Sequence, residues 1–426
     1  MIFALLTRHF VVHMHLNDQR THHHAQRGRA EPSRASLCSV PASTSHVNAG
    51  QNDAGDDTLD LSNSRRPRAS MRSAAVLHLC AYPCYTYGDT VCQRSEMSAE
   101  VCVQPPLAAP ENGALQIVDL PSVTPTAMAA LWRYEVEWWR THLSWDITDS
   151  LAALQRVVAR GGVPGKAVQV GSEIVGYAYY SIAGDLGMLS GLVLAPAWDR
   201  PAIGTRLLQA LLEALHQQGA RRIESSCIAL TSSWLAPVYA QTGFQTAWRS
   251  YMSVQLAQAH PVVQPQTTAT LAAWRGEYIT AAATIMHAAY QRSVDGAMNR
   301  LYHTPTGCRS IIEELVSYGS CGPLVPKASA LARVRSRDVG FIAVTAVAPR
   351  HGHLAQIAVM PTAQGCGVGR QLVGHCVAQL TAQHFDTLSL IVSRDNQRAL
   401  ALYQTLGMQE ILAFPVFVWE DTRTNY

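Results

Sequence analysis

The stretch Gln356–Leu380, QIAVMPTAQGCGVGRQLVGHCVAQL, decides how this chain is read. The short apolar run Ile357-Ala358-Val359-Met360 is closed by Pro361, which offers no backbone donor to a sheet. It therefore reads as a buried strand cut off at its C-terminal end. A glycine-dense turn follows through Gln364, Gly365, Cys366, Gly367, Val368 and Gly369. Val368, Leu372, Val373, Cys376, Val377 and Leu380 then recur at helical spacing, giving one apolar stripe. Strand, glycine turn and helix N-terminus together make an anion cradle. Glycine lets the backbone approach a ligand closely, and the first helical turn carries amide groups with no internal acceptor. A pyrophosphate against Gly365–Arg370 would satisfy them, with Arg370 adding a formal charge.

Two familiar phosphate loops are excluded. A Walker loop needs Gly-Lys-Ser/Thr, whereas Gly369 is followed by Arg370 and Gln371. The dinucleotide spacing G-x-G-x-x-G is broken, because Arg370 stands where its third glycine would fall. The pattern that fits is Q-x-x-G-x-G, on Gln364, Gly367 and Gly369. Beyond a strand over Leu388–Val392 comes Asn396-Gln397-Arg398-Ala399-Leu400-Ala401-Leu402-Tyr403, followed by Gly407-Met408. The two motifs, in this order, resemble the coenzyme A loop and the N-x-x-A-x-x-x-Y segment of the GNAT superfamily of N-acetyltransferases. Met408 replaces that family's usual phenylalanine.

The resemblance implies an α+β fold: a mixed sheet splayed at its middle, flanked by helices, with acetyl-CoA in the opening. It implies that backbone groups of Ile357, Ala358 and Val359 serve the thioester and oxyanion. Gln364, Gly365, Cys366, Gly367, Val368, Gly369 and Arg370 would hold the pyrophosphate, and Asn396 would cap its helix or touch the cofactor. Tyr403 would donate to the departing thiolate. No metal is implied, the acceptor is the amine of a small molecule or peptide, and the compartment is the cytoplasm.

The same frame occurs twice. Shifting the chain by 165 residues places Leu192–Pro196 on Ile357–Pro361 and Gly204 on Gly369. Ile203, Leu207, Leu208, Leu211, Leu212 and Leu215 then fall on the apolar stripe of the later helix. With a one-residue deletion, Tyr239 and Gly243-Phe244 match Tyr403 and Gly407-Met408. Two copies of one fold are expected, over about 113–257 and 268–426, joined by a proline-stiffened linker at 257–268. The copies differ where chemistry would occur. Asp199 replaces Gln364, Pro201 replaces Cys366, Ala202 replaces Gly367, and Ser232 replaces Asn396. A carboxylate and a missing amide spoil a phosphate loop, so the first copy reads as structural or substrate-shaping. The run Ile411–Trp419 alternates enough to close the second copy's sheet.

The remaining features bound the function. Of 426 residues, 48% are hydrophobic and 15% charged, which is ample for a core. The formal charge of +3 argues against a dedicated nucleic-acid surface. No apolar run approaches the roughly 18–20 residues that cross a bilayer. Residues 1–110 lack periodicity and read as a disordered extension. They hold Cys38, Cys80, Cys84, Cys92 and Cys102, without the spacing of a zinc finger. The Trp-rich helix over Thr124–His142 is expected to be core. No general base declares itself. His353 reads as a surface residue, Glu313 and Glu314 as a solvated helix face, and Cys366 lacks the partners of a nucleophile. The alternative to an enzyme is an acyl-CoA-binding sensor without turnover, and a third reading is a scaffold recruiting a partner through the Trp-rich helix.

Overall fold

The computed structural model describes residues 115–226, 232–261, 269–319 and 321–421. The expected N-terminal extension and its cysteines lie outside them.

In the first copy, strand β1 (Leu115–Asp119) leads into helix α1 (Pro125–Leu143), whose first turn is capped by the Thr124 hydroxyl. Helix α2 (Thr148–Val158) follows, then a meander of β2 (Gly165–Val170), β3 (Glu173–Ala183) and β4 (Leu186–Leu194). Helix α3 (Pro201–Gln217), β5 (Arg222–Ser225), α4 (Leu235–Gln241) and β6 (Gln245–Gln255) complete it. The second copy opens with β7 (Thr270–Ala273), α5 (Ile279–Tyr290), the short α6 (Val294–Met298) and α7 (Pro305–Val316). It repeats the meander as β8 (Ala330–Val334), β9 (Arg337–Ala348) and β10 (His351–Val359). Helix α8 (Val368–Ala382), β11 (Thr387–Ser393), α9 (Gln397–Thr405) and β12 (Gln409–Glu420) end the chain.

Among the described residues, the strands form one sheet in the order β1-β2-β3-β4-β5-β12-β6-β11-β10-β9-β8-β7. Only β4/β5 and β10/β11 run parallel, and both pairings are short. β10 pairs with β11 from His351 to Leu354, then continues to Val359 without it. β4 likewise leaves β5 after Leu189. Each copy thus has the splayed, mixed α+β sheet expected of it.

The sequence reading of the last strand needs correction. β12 does not close the second copy's sheet. It lies between β5 and β6 of the first copy, while β6 pairs with β11 of the second. The two final strands are exchanged, and the cores are shared accordingly. Phe414, Val416 and Phe417 of β12 are buried in the first copy's core, and Met252 and Val254 of β6 in the second's. Alternation along β12 correctly marks one buried face, but carries no information on which strand it will meet.

Helix α8 lies against the sheet through Val368, Leu372, Val373, Cys376 and Leu380, all buried. At about 1.5–3 kcal/mol for each fully buried large aliphatic side chain, this stripe holds the glycine turn at the mouth of the splay. Val377, read as part of the stripe, is only partly buried. In α1, Trp132 and Trp139 are core, while Trp138 stacks on His142 at the margin.

Candidate active site

The glycine turn has the geometry of an anion cradle. Pro361 starts a single 3-10 turn, and the Gln364 amide donates back to the Val359 carbonyl at 3.0 Å. Gly365 and Gly367 have φ of +86° and +84°, a conformation other residues resist. Among the described residues, no backbone amide from Gly365 to Arg370 finds an acceptor; the first helical bond is Gln371 N–H to Gly367 O. Six consecutive donors therefore face outward at a helix N-terminus. Arg370 has no ionic partner among the described residues. A Cβ on Gly365 would stand 3.5 Å from Nη2 of Arg398, so a second guanidinium lies over the turn. Arg398 was missed because the motif in which it sits fixes only its asparagine, alanine and tyrosine.

The splay supplies a second set of donors. Met360 N–H donates to Val339 O on the β9 side. Strand alternation then turns Ala358 toward β9, opposite Phe341, and turns Ile357 and Val359 toward the opening. The carbonyls of those two are taken by side chains, Ile357 O by the Tyr290 hydroxyl at 2.8 Å and Val359 O by Gln364. Their amides face a gap from which β11 has departed. Of the three residues read as a backbone trio, Ala358 is thus directed away from the opening.

Across the gap, Asn396 caps α9, its Oδ1 accepting from Ala399 N–H at 3.2 Å. The cap fixes the helix carrying Tyr403, whose ring is buried with Leu406 and Met408. Its hydroxyl has no hydrogen-bond partner among the described residues. Burial, with smaller contributions from Cys376 and Asp295, raises its pKa above the ordinary 10. The face opposite the glycine turn carries Tyr290 stacked on Tyr302 at 4.7 Å, and an ion pair of Asp295 with Arg249 at 3.1 Å. Neither charged residue belongs to a recognisable motif.

Several candidates are displaced. His353 is 3% exposed, not a surface residue. It sits where β10 is still paired, its Nδ1 3.0 Å from Ser389 Oγ and its ring edge-on to Trp145. Burial holds its pKa well below the ordinary value, so it is a neutral core residue away from the opening. Glu314 is buried rather than solvated, while Glu313 pairs with Arg309 at 2.8 Å. Cys366 is exposed, its thiol 3.9 Å from the Gln364 carbonyl.

The first copy's equivalent loop is closed by its own residues. Ile203 and Gly204 N–H both donate to Arg200 O, and Pro201 has no N–H. Asp199 accepts from Ser232 Oγ and, at 2.6 Å, from Trp234 Nε1. This seats the indole over the first turn of α3, where a Cβ on Gly204 would be only 2.1 Å from the ring. Tyr239, the counterpart of Tyr403, is stacked on Phe417 with centroids 3.8 Å apart, its hydroxyl 2.9 Å from Ser225 Oγ.

The chain matches the acetyltransferase (GNAT) family model over residues 125–244 and again over 313–408, together half its length. It belongs to that family, as a tandem of two copies. Two curated relatives are ribosomal protein bS18-alanine N-acetyltransferases. The one from Haemophilus influenzae is 38% identical over 73 residues, 17% of this chain and 43% of the relative. The one from Salmonella typhimurium is 40% identical over 68 residues, 16% and 46% of the respective lengths. The matches thus span just under half of each relative. A GCN5-related N-acetyltransferase from Sphaerobacter thermophilus has the same fold, with a TM-score of 0.53 at 15% identity. That likeness covers 74% of this chain and 97% of the other.

Proposed function

We propose that the chain is an acetyl-CoA-dependent N-acetyltransferase with its active site in the second copy, about residues 268–426. The observation that carries this reading is the contrast between the two loops. Gly365–Arg370 leave six amides and the cation of Arg370 uncommitted, whereas the first copy spends its donors internally and covers them with Trp234. Gln364 to Arg370, with Arg398, would hold the pyrophosphate, and the bound thioester would supply an activated acetyl group. The amides of Ile357 and Val359 face the place where negative charge would develop, and one such donor is worth about 3–4 kcal/mol in comparable acyl transfers. Tyr403 stays protonated and can donate to the departing sulfur. As the acceptor's C–N bond forms and the C–S bond breaks, nitrogen gives up a proton and sulfur gains one.

The acceptor is a primary amine. Because two relatives are named for acetylating an alanine amine, the α-amine of a peptide is the first to test. It is also the cheaper substrate. An α-amine near pKa 8 costs about 1 kcal/mol to neutralise at pH 7, against about 4–5 kcal/mol for a lysine. An uncommitted Tyr403 hydroxyl favours turnover over a sensor.

The test uses the full chain, titrated with acetyl-CoA and assayed for thiol release with peptide and small-molecule amines. Gly367→Asp should weaken acetyl-CoA binding at least 30-fold, because an aspartate there is strained at positive φ and repels phosphate. Its circular dichroism should stay native. An unchanged dissociation constant removes the loop from the site.

A further inference from the structure

The connection between α5 and α6 straddles the splay, touching both arms. At its start the Tyr290 hydroxyl holds the Ile357 carbonyl of β10. At its end Asp295 Oδ1 accepts from Ser393 Oγ, at 2.9 Å, on the last residue of β11. The same oxygen accepts from Arg249 Nη2. Arg249 is the cross-strand partner of Ser393, but it belongs to β6, the strand lent by the first copy. The turn between is tight. Ser293 Oγ caps α6 by accepting from Gly296 N–H, and a Cβ on Gly296 would meet Tyr290 O at 2.3 Å. The first copy also seats the rest of this segment, since Arg222 donates to Ala297 O and Glu224 accepts from Arg300 N–H at 2.8 Å.

Asp295 Oδ2 takes no hydrogen bond among the described residues, and the Arg249 Nε–H is buried without an acceptor. Arg249 holds this Asp295 carboxylate in a largely buried ion pair at 3.1 Å. Its field reaches the site's tyrosines: after burial itself, Asp295 is among the groups that oppose ionisation of Tyr290, Tyr302 and Tyr403. A carboxylate held at the end of β11, with one oxygen uncommitted, suits a cation arriving between the two arms of the splay.

We propose that Asp295 receives the ammonium group of the acceptor, which sheds one proton to solvent before its neutral nitrogen attacks, and that Arg249 of the first copy is the positioning residue that aims the carboxylate. The degenerate copy then supplies part of the working copy's acceptor site. This rests on the acetyltransferase reading above, and the experiment separates the two. Wild type, Asp295→Asn, Arg249→Met and Arg249→Lys are compared as full chains, with an alanyl tripeptide amide as acceptor. Acetyl-CoA binding is measured in parallel. Asp295→Asn should lower kcat/KM for the peptide at least 30-fold, mainly through KM, with the Kd of acetyl-CoA within twofold. Arg249→Met should follow in the same direction, and Arg249→Lys should recover part of the loss. A purely structural role would not alter how KM depends on pH. Wild-type KM should rise between pH 7 and 9 as the ammonium is lost, and that slope should vanish in Asp295→Asn. If Asp295→Asn does not fold, the wild-type slope decides, and a flat KM overturns the proposal. So does Asp295→Asn with kcat/KM within threefold of wild type, or a wild type that binds acetyl-CoA yet acetylates no amine. A wild type that fails to bind acetyl-CoA brings down the earlier reading instead.

Discussion

Tyr403 shows what a single residue contributes. Its phenol is a weaker acid than the ordinary tyrosine because burial opposes the phenolate. A thiol near pKa 8.5 cannot draw its proton away completely without climbing more than about 2 kcal/mol. In the proposed reaction the hydroxyl would therefore stabilise the departing thiolate by donating a hydrogen bond, with the thiolate's final protonation shared with solvent. Tyr403→Phe should lower kcat about 100-fold and leave the acetyl-CoA Kd within twofold, the mark of an interaction made mainly in the transition state. No descending limb from this residue should appear in kcat below about pH 10. A fall in turnover of less than threefold would make Tyr403 a packing residue. The placement of Asn396 and Tyr403 was legible in the sequence because the cap and the tyrosine are local, lying on one helix. Asp295 and Arg249 were not, being 46 residues apart and joined only by an exchanged strand. His353 was misread for a related reason. It sits between Gly352 and Leu354 in a run that looks polar, and only the fold brings Trp145 and Tyr251 over its ring.

At the scale of an element, helix α1 carries a buried carboxylate whose cost depends on pH. Glu135 is 2% exposed and accepts from the Tyr177 hydroxyl on β3. Burial raises its pKa to about 7, with hydrogen bonds from Tyr177 and Trp139 pulling it partly back. The sign of the pH effect follows from linkage. Between the ordinary value of 4.5 and about 7, the unfolded chain sheds this proton while the folded chain keeps it, so stability falls as pH rises. Below that window the cost is absent, and above it the cost is fully expressed, on the order of 3 kcal/mol. Glu135→Gln should therefore raise Tm more at pH 8 than at pH 5, as thermal melts at the two pH values will show. An equal shift at both would mean that Glu135 is already ionised at pH 5. The helix itself was readable from Thr124 and its apolar spacing, but its buried carboxylate was not. The β3 tyrosine that shelters Glu135 lies 42 residues away.

At the scale of the molecule, the repeat in the sequence revealed two copies but not their interlocking. Periodicity reports which face of each strand is buried, and the exchange leaves that pattern unchanged while altering every partner. β12 bonds to β5 through Phe417–Glu420 and to β6 along most of its length, and β6 bonds to β11 from Arg249 to Gln255. Cutting the chain in the linker after residue 261 would not disturb one ladder bond in this sheet. Expressing the halves apart would strip a neighbour from β5, β6, β11 and β12 together. It would also expose the aromatic face of Phe417, which stacks on Tyr239. Unpaired, apolar edge strands seek other strands. Residues 113–261 and 269–426 produced separately should therefore aggregate or self-associate. The same halves co-expressed should elute as a one-to-one complex that binds acetyl-CoA like the intact chain. Size-exclusion chromatography with light scattering distinguishes these outcomes. Two well-folded monomeric halves, each with a cooperative melt, would show that each final strand can return to its own sheet. The second copy would then need nothing from the first to form its site.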